Sequence, residues 1–222
     1  VLYRKRNLAD KEEEVFFDPN TLSDDGTVAL HAGTFTKDGK YFAYALASAG
    51  SDWVEIKVLD TETMQPLADH IKWVKFSGAS WTRDGRGFYY SAYDAPNEGD
   101  AVYSAQNTNQ KVYFHRLGTS QAEDILIFED KKNPLHYHHG GESEDGKWQF
   151  ITSSAGTSGT QVLYKRTSER KWRTLFKGFD YDYMILDCYK DELMVMTNDN
   201  AANYRLVGVN LNTGKQYDII PE

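Results

Sequence analysis

One cysteine in 222 residues, Cys188, excludes an internal disulfide framework and any metal centre built from several thiolates. Its neighbours Leu186 and Tyr189 point to a buried thiol, and a thiol without a partner fits the cytosol without ruling out a bacterial periplasm. Methionine is scarce, with 4 residues against 15 Tyr, 11 Phe and 5 Trp, a bias toward pleated surfaces that leaves helix a minor element. Positive charge is in deficit: Lys+Arg 25 against Asp+Glu 33 gives 25 − 33 = −8. No overall positive field draws a phosphate backbone, so nucleic acid is not an expected partner. No apolar run approaches the roughly 20 residues a membrane helix needs, and no signal-peptide pattern opens the chain, so no membrane partner is expected either.

What the chain does have is a repeat. Phe35-Thr36-Lys37-Asp38-Gly39-Lys40-Tyr41-Phe42-Ala43-Tyr44 runs an apolar approach into Asp-Gly and leaves it on an aromatic, alternating strand. Glycine takes positive φ without a Cβ penalty and aspartate can bond its own backbone, so the pair suits a tight hairpin turn. The same device recurs at Ala79 to Tyr90 around Asp84-Gly85, at Glu142 to Ile151 around Asp145-Gly146, and in degenerate form at Met184 to Met196 around Asp191. Spacings of the turn aspartates are 84 − 38 = 46, 145 − 84 = 61 and 191 − 145 = 46, close to the roughly 40–50 residues of a β-propeller blade. The expected fold is therefore all-β: blades of four antiparallel strands standing side by side around an axis, because one twisted sheet cannot bury both its faces alone. The expected blades are 1–33 (partial), 34–76, 77–130, 135–177 and 178–222.

Leu2 to Arg6 and Glu14 to Phe17 read as strands joined by the charged Asp10-Lys11-Glu12-Glu13 turn, so the chain starts inside a sheet, as expected of a piece of something larger. The acidic run is either a solvated hairpin tip or a site for a basic partner. Trp53 to Leu59 alternates with period two, a half-buried strand. The second unit carries an insertion at Asp94 to Asp100 and a polar stretch from Ser104 to Gln110, which is either mobile or functional.

Phe17-Asp18-Pro19-Asn20-Thr21-Leu22-Ser23-Asp24-Asp25-Gly26-Thr27-Val28-Ala29-Leu30, followed by Gly50-Ser51-Asp52-Trp53, resembles the prolyl oligopeptidases, serine peptidases that cut short peptides after proline. Lys111 to Thr119 and Asn203-Tyr204-Arg205-Leu206 match the family's pattern in order, and the resemblance covers essentially the whole chain. It implies a seven-bladed propeller, of which about four blades are here. It also implies a partner, an α/β-hydrolase catalytic domain of the same protein that carries the Ser, Asp and His triad, and short proline-containing peptides as substrates. No cofactor and no metal are implied. The propeller's implied task is to restrict access and to line part of the substrate pocket. Tyr89 matches a phenylalanine that packs on the substrate residue upstream of proline, Thr157 a pocket cysteine, and Tyr137 a pocket methionine if no gap precedes Asp145-Gly146. For Tyr89, plain packing between blades is equally open.

Two other constellations carry candidate chemistry. Gly156-Thr157-Ser158-Gly159 imitates the Gly-x-Ser-x-Gly of hydrolase nucleophiles but lies in a hairpin with no helix to follow. No catalytic residue is assigned, and the segment alone is expected to hydrolyse nothing. His136 and His138 would share one face of a strand and, with Glu142, could meet a zinc ion; ordinary polar packing is the competing reading. Two further functional readings stay open: a free-standing protein-binding propeller, and the propeller of an oligopeptidase that cuts after basic residues.

Overall fold

The computed structural model describes residues 1–5, 7–96 and 106–222. Arg6, and the part of the insertion and polar stretch that falls within 97–105, lie outside them. Strands β1 (Leu2–Arg4) and β2 (Glu14–Phe17) form an antiparallel hairpin. Four sheets of four strands follow in order. The first holds β3 (Val28–Phe35), β4 (Tyr41–Ser48), β5 (Trp53–Asp60) and β6 (Pro66–Lys75); the second holds β7 (Ser80–Trp81), β8 (Gly87–Ala92), β9 (Lys111–Arg116) and β10 (Ile125–Glu129). The third holds β11 (Tyr137–Glu142), β12 (Trp148–Ser154), β13 (Thr160–Arg166) and β14 (Arg173–Phe176); the fourth holds β15 (Tyr183–Tyr189), β16 (Glu192–Thr197), β17 (Arg205–Asn210) and β18 (Gln216–Ile220). Every pairing is antiparallel between chain neighbours, apart from a single bridge, Val74 to Ala92, that ties the first sheet to the second. This is a partial β-propeller. Among the described residues the only helical pieces are two short 3-10 turns, Pro19–Thr21 and Gln121–Glu123.

The Asp-Gly turns do what their chemistry requires. Asp38 Oδ1 accepts from Lys40 N at 3.0 Å and Thr36 Oγ1 at 2.6 Å while Gly39 sits at φ 73°. Asp84 and Asp145 repeat the arrangement beside Gly85 and Gly146, both at φ 67°. In the degenerate fourth copy Lys190 takes the left-handed position instead, at φ 56°. Each turn joins the first strand of its sheet to the second. The turn therefore lies in mid-sheet, and the expected boundary at 33/34 cuts through β3, all of which belongs to the first blade.

Burial follows the stacking. Phe16 and Phe17 of the hairpin pack on Phe42, Tyr44 and Leu46 of the first blade. The other face of that blade meets the second through Ala43, Val54, Ile56, Val58, Phe88 and Tyr90. Trp148, Phe150, Val162 and Phe176 of the third blade meet Leu193, Val195, Val207 and Val209 of the fourth. The junction between the second and third blades differs: buried Gln110, His138, Ser91, Ser153 and Gln149 lie there, and polar contacts take the place of an apolar cluster.

Candidate functional site

Because every Asp-Gly turn sits at one rim, the opposite rim collects the links from second to third strand and from blade to blade. Six of the eight non-glycine residues with positive φ among the described residues lie on that opposite rim: Ala49, Trp73, Phe76, Asn109, Asn200 and Tyr204. Such backbone costs of order 1–3 kcal/mol per residue and concentrates at sites where a side chain must be aimed. At Trp73 the aiming device is visible. The pairing of β5 with β6 slips between Val54–Val74 and Ile56–Ile71, a bulge, and Trp73 turns edge-on to Trp53 with ring centroids 5.9 Å apart.

Tyr137, the first residue of β11, is half-buried on this rim and meets Phe76 edge to face, 5.4 Å between centroids and 88° between planes. Phe76 is 47% exposed, an unusual state for a phenylalanine held at φ 55°. Lys75 Nζ lies 5.1 Å over the Phe76 ring and 5.4 Å over Trp53, and pairs with Asp52 at 3.4 Å. Tyr93 closes the group against Trp53 at 5.7 Å. Burial, with Tyr137 nearby, pushes the Tyr93 phenol up to about 12. Thr157 is exposed in the β12 to β13 loop on the same rim. That loop is pinned at its far end: Gly159, at φ 79°, donates N–H to Asp182 Oδ1 at 2.6 Å, and a Cβ there would lie 1.9 Å from the Phe179 carbonyl oxygen.

Tyr89 sits elsewhere. It is 4% exposed between the second and third blades, with Gln149 Nε2 donating to its hydroxyl at 2.7 Å and its own proton directed to Glu142 Oε2 at 3.4 Å. Glu142 ends β11 at the Asp-Gly rim, so the Tyr89 hydroxyl faces away from Tyr137. Sequence reasoning did not find Phe76, and the only trace of it there is an aromatic residue directly before the Ser77-Gly78 link.

His136 and His138 do share a face, their rings 6.5 Å apart. His138 is 1% exposed and shares a hydrogen bond between Nδ1 and Ser153 Oγ at 2.8 Å, and burial drives its pKa down to about 4, so the ring is neutral. Glu142 stands at the other end of the strand, accepting from Arg83 N at 2.7 Å. Among the described residues no group of three His, Cys, Asp or Glu side chains is placed to hold a metal ion. Ser158 is exposed and leads into β13, not into a helix. Cys188 is 3% exposed, and burial pushes its thiol up to about 12.

Comparison with known proteins adds three findings. The profile of the prolyl oligopeptidase N-terminal β-propeller domain matches residues 1–222. Among curated proteins, the chain is 38% identical over 216 residues to a prolyl endopeptidase of Elizabethkingia miricola, covering 97% of the chain and 30% of that protein, and 34% identical over 250 residues to a dual function macrocyclase-peptidase of Amanita bisporigera, covering 100% of the chain and 34% of that protein. It therefore spans about a third of the length of these relatives. Among solved structures, prolyl oligopeptidase B from Galerina marginata bound to a 35mer hydrolysis and macrocyclization substrate superposes with a TM-score of 0.89 at 30% identity, covering 100% of the chain and 34% of that one.

Proposed function

The chain belongs to the prolyl oligopeptidase family as its N-terminal β-propeller domain, and from that membership we propose that it is the non-catalytic part of a serine-type prolyl endopeptidase, limiting access to a catalytic domain and contributing wall to the substrate pocket. The chemistry would be acyl transfer on an α/β-hydrolase domain of the same protein: an activated serine attacks the carbonyl of the proline residue and expels the downstream peptide as its protonated amine, and water then hydrolyses the acyl-enzyme to release the prolyl carboxylate and regenerate the serine. The chain by itself would not hydrolyse peptides.

The observation that carries the pocket role is the Phe76–Tyr137 pair, an exposed aromatic corner held by left-handed backbone on the rim opposite the Asp-Gly turns. An apolar ring face of this kind suits the side chain upstream of a prolyl bond. Asp52 and Lys75 beside it offset each other, which favours an apolar peptide over the cationic one that an oligopeptidase specific for basic residues would take. Thr157, on a loop of the same rim, belongs to the same wall in this reading, and Tyr89 does not.

The test is kinetic, on the full-length protein with a peptide cut after proline. Tyr137→Ala and Phe76→Ala are each expected to lower kcat/KM about tenfold, close to 1.4 kcal/mol of lost aromatic contact, mainly through KM. Thr157→Ala should give a smaller effect of the same kind, and Tyr89→Phe should stay within about twofold of the parent value. Unchanged kinetics in both aromatic variants would remove the rim from the pocket.

A further inference from the structure

Strand β6 ends at Lys75, opposite Trp53, and Phe76 stands one residue beyond it, nearly half exposed and at φ 55°. A bulky residue in that conformation persists only where the chain on either side of it is held. The holding groups belong to the polar junction between the second and third blades. Gln110, 1% exposed and directly before β9, donates from Nε2 to the Lys75 carbonyl at 3.0 Å and accepts from the His138 N–H on Oε1 at 2.7 Å. The amide has one orientation here, because a carbonyl can only accept and a main-chain N–H can only donate.

Ser91, fully buried on β8, makes the second tie. Its N–H donates to Ser77 Oγ at 2.9 Å and its hydroxyl donates to the His138 carbonyl. Lys75 and Ser77 are the two chain neighbours of Phe76, and His138 directly follows Tyr137. Both neighbours of one ring are thus joined, each through one buried residue of the second blade, to the neighbour of the other ring. His138 is fixed from its own blade as well, its Nδ1 2.8 Å from Ser153 Oγ. Apolar packing is non-directional, whereas a hydrogen bond weakens steeply outside a narrow range of length and angle, so these ties set the spacing of the two rings more tightly than an apolar cluster would.

We infer that Gln110 is a positioning residue for substrate, seconded by Ser91: together they span the segments that carry Phe76 and Tyr137 and hold the rings in the edge-to-face pose, 5.4 Å between centroids, that a peptide side chain meets. Both are buried and act through the rings. The inference rests on the pocket role proposed above for that pair. It also accounts for a polar junction at this one place, where the hairpin and the other blades stack through apolar clusters.

Kinetics of the full-length protein on a peptide cut after proline test it. Gln110→Met nearly keeps the length of the side chain and removes both of its hydrogen bonds; KM is expected to rise about three- to fivefold with kcat unchanged, the split that marks lost binding and not lost chemistry. Ser91→Ala, a smaller change that leaves the main-chain bond to Ser77 in place, should raise KM about two- to threefold in the same way. A residue that only stabilised the fold would lower the melting temperature and leave KM alone. In a background that carries both Phe76→Ala and Tyr137→Ala, Gln110→Met should change KM less than about 1.5-fold, because nothing is left for it to position. If Gln110→Met does not fold, Ser91→Ala carries the same comparison in both backgrounds. Parent-like KM in the single variants, or an effect that persists in full without the two rings, would overturn the positioning role and leave the aromatic corner standing. Inert Phe76→Ala and Tyr137→Ala would instead remove the corner, and the positioning role with it.

Discussion

Replacing His115 with leucine is expected to destabilise the fold by about 3–5 kcal/mol, the cost of stranding buried charge by removing its partner. The imidazole is fully buried, with Nε2 2.9 Å from Asp69 Oδ1 and Nδ1 2.7 Å from Asp124 Oδ1, both carboxylates being at most 2% exposed. Asp69 stands on β6 of the first blade and His115 on β9 of the second, so the clamp bolts two blades together. Tyr90 donates to Asp124 at 2.6 Å and the Gly118 N–H to Asp69 at 2.6 Å. Burial acts to discharge the ring, but the hydrogen bonds of Asp124 and Asp69 overcome it and hold the pKa up at about 9, against an ordinary value of 6.5. A folded-state pKa above the unfolded one stabilises fully below pH 6.5, and that contribution, about 3 kcal/mol, is lost as pH rises through 9. Denaturant unfolding at pH 6 and pH 10 reads both effects: the parent should lose stability over that interval, and His115→Leu should lose about 3 kcal/mol less over it. Equal pH dependence in the two proteins would contradict the clamp.

Trp148→Ala is expected to cost a comparable 3–5 kcal/mol for a different reason, the cavity left when a fully buried indole is removed. Trp148 is 0% exposed in the cluster that joins the third and fourth blades, its Nε1 donating to Asp191 Oδ1 at 3.2 Å and Arg166 lying 4.3 Å over its ring. Asp191 belongs to the next blade's turn, so the indole ties one sheet to its neighbour. A chevron or equilibrium melt of Trp148→Ala should show a cooperative transition at lower denaturant; a loss under about 1 kcal/mol would mean that the sheets do not depend on being stacked.

The repeat was legible because its determinants are local. Thr or Ser, then Asp-Gly, bond within five residues of one another, and the alternating strands that flank them need no knowledge of distant chain. A turn marks a hairpin and not the edge of a sheet, which is why counting from Phe35 misplaced the first blade boundary by part of a strand. The aromatic corner was only half legible. Tyr137 could be matched by its distance from Asp145-Gly146, but Phe76 acquires its exposure from a left-handed φ and its partner from a contact across 137 − 76 = 61 residues. The His115 clamp was invisible for the same reason, since Asp69 is 46 residues away and nothing in either neighbourhood signals the other. Tyr89 likewise finds its hydrogen-bond partners far along the chain, Gln149 at a separation of 60 residues and Glu142 at 53, and its own neighbourhood in the sequence signals neither.

The measurement that bears most directly on the proposed function is peptide cleavage by the full-length protein, comparing two short peptides identical but for proline or arginine at the scissile position. Hydrolysis on the carboxyl side of proline, with the arginine peptide left intact, is the expected result. Cleavage after arginine at comparable kcat/KM, or no cleavage of either peptide, would contradict it.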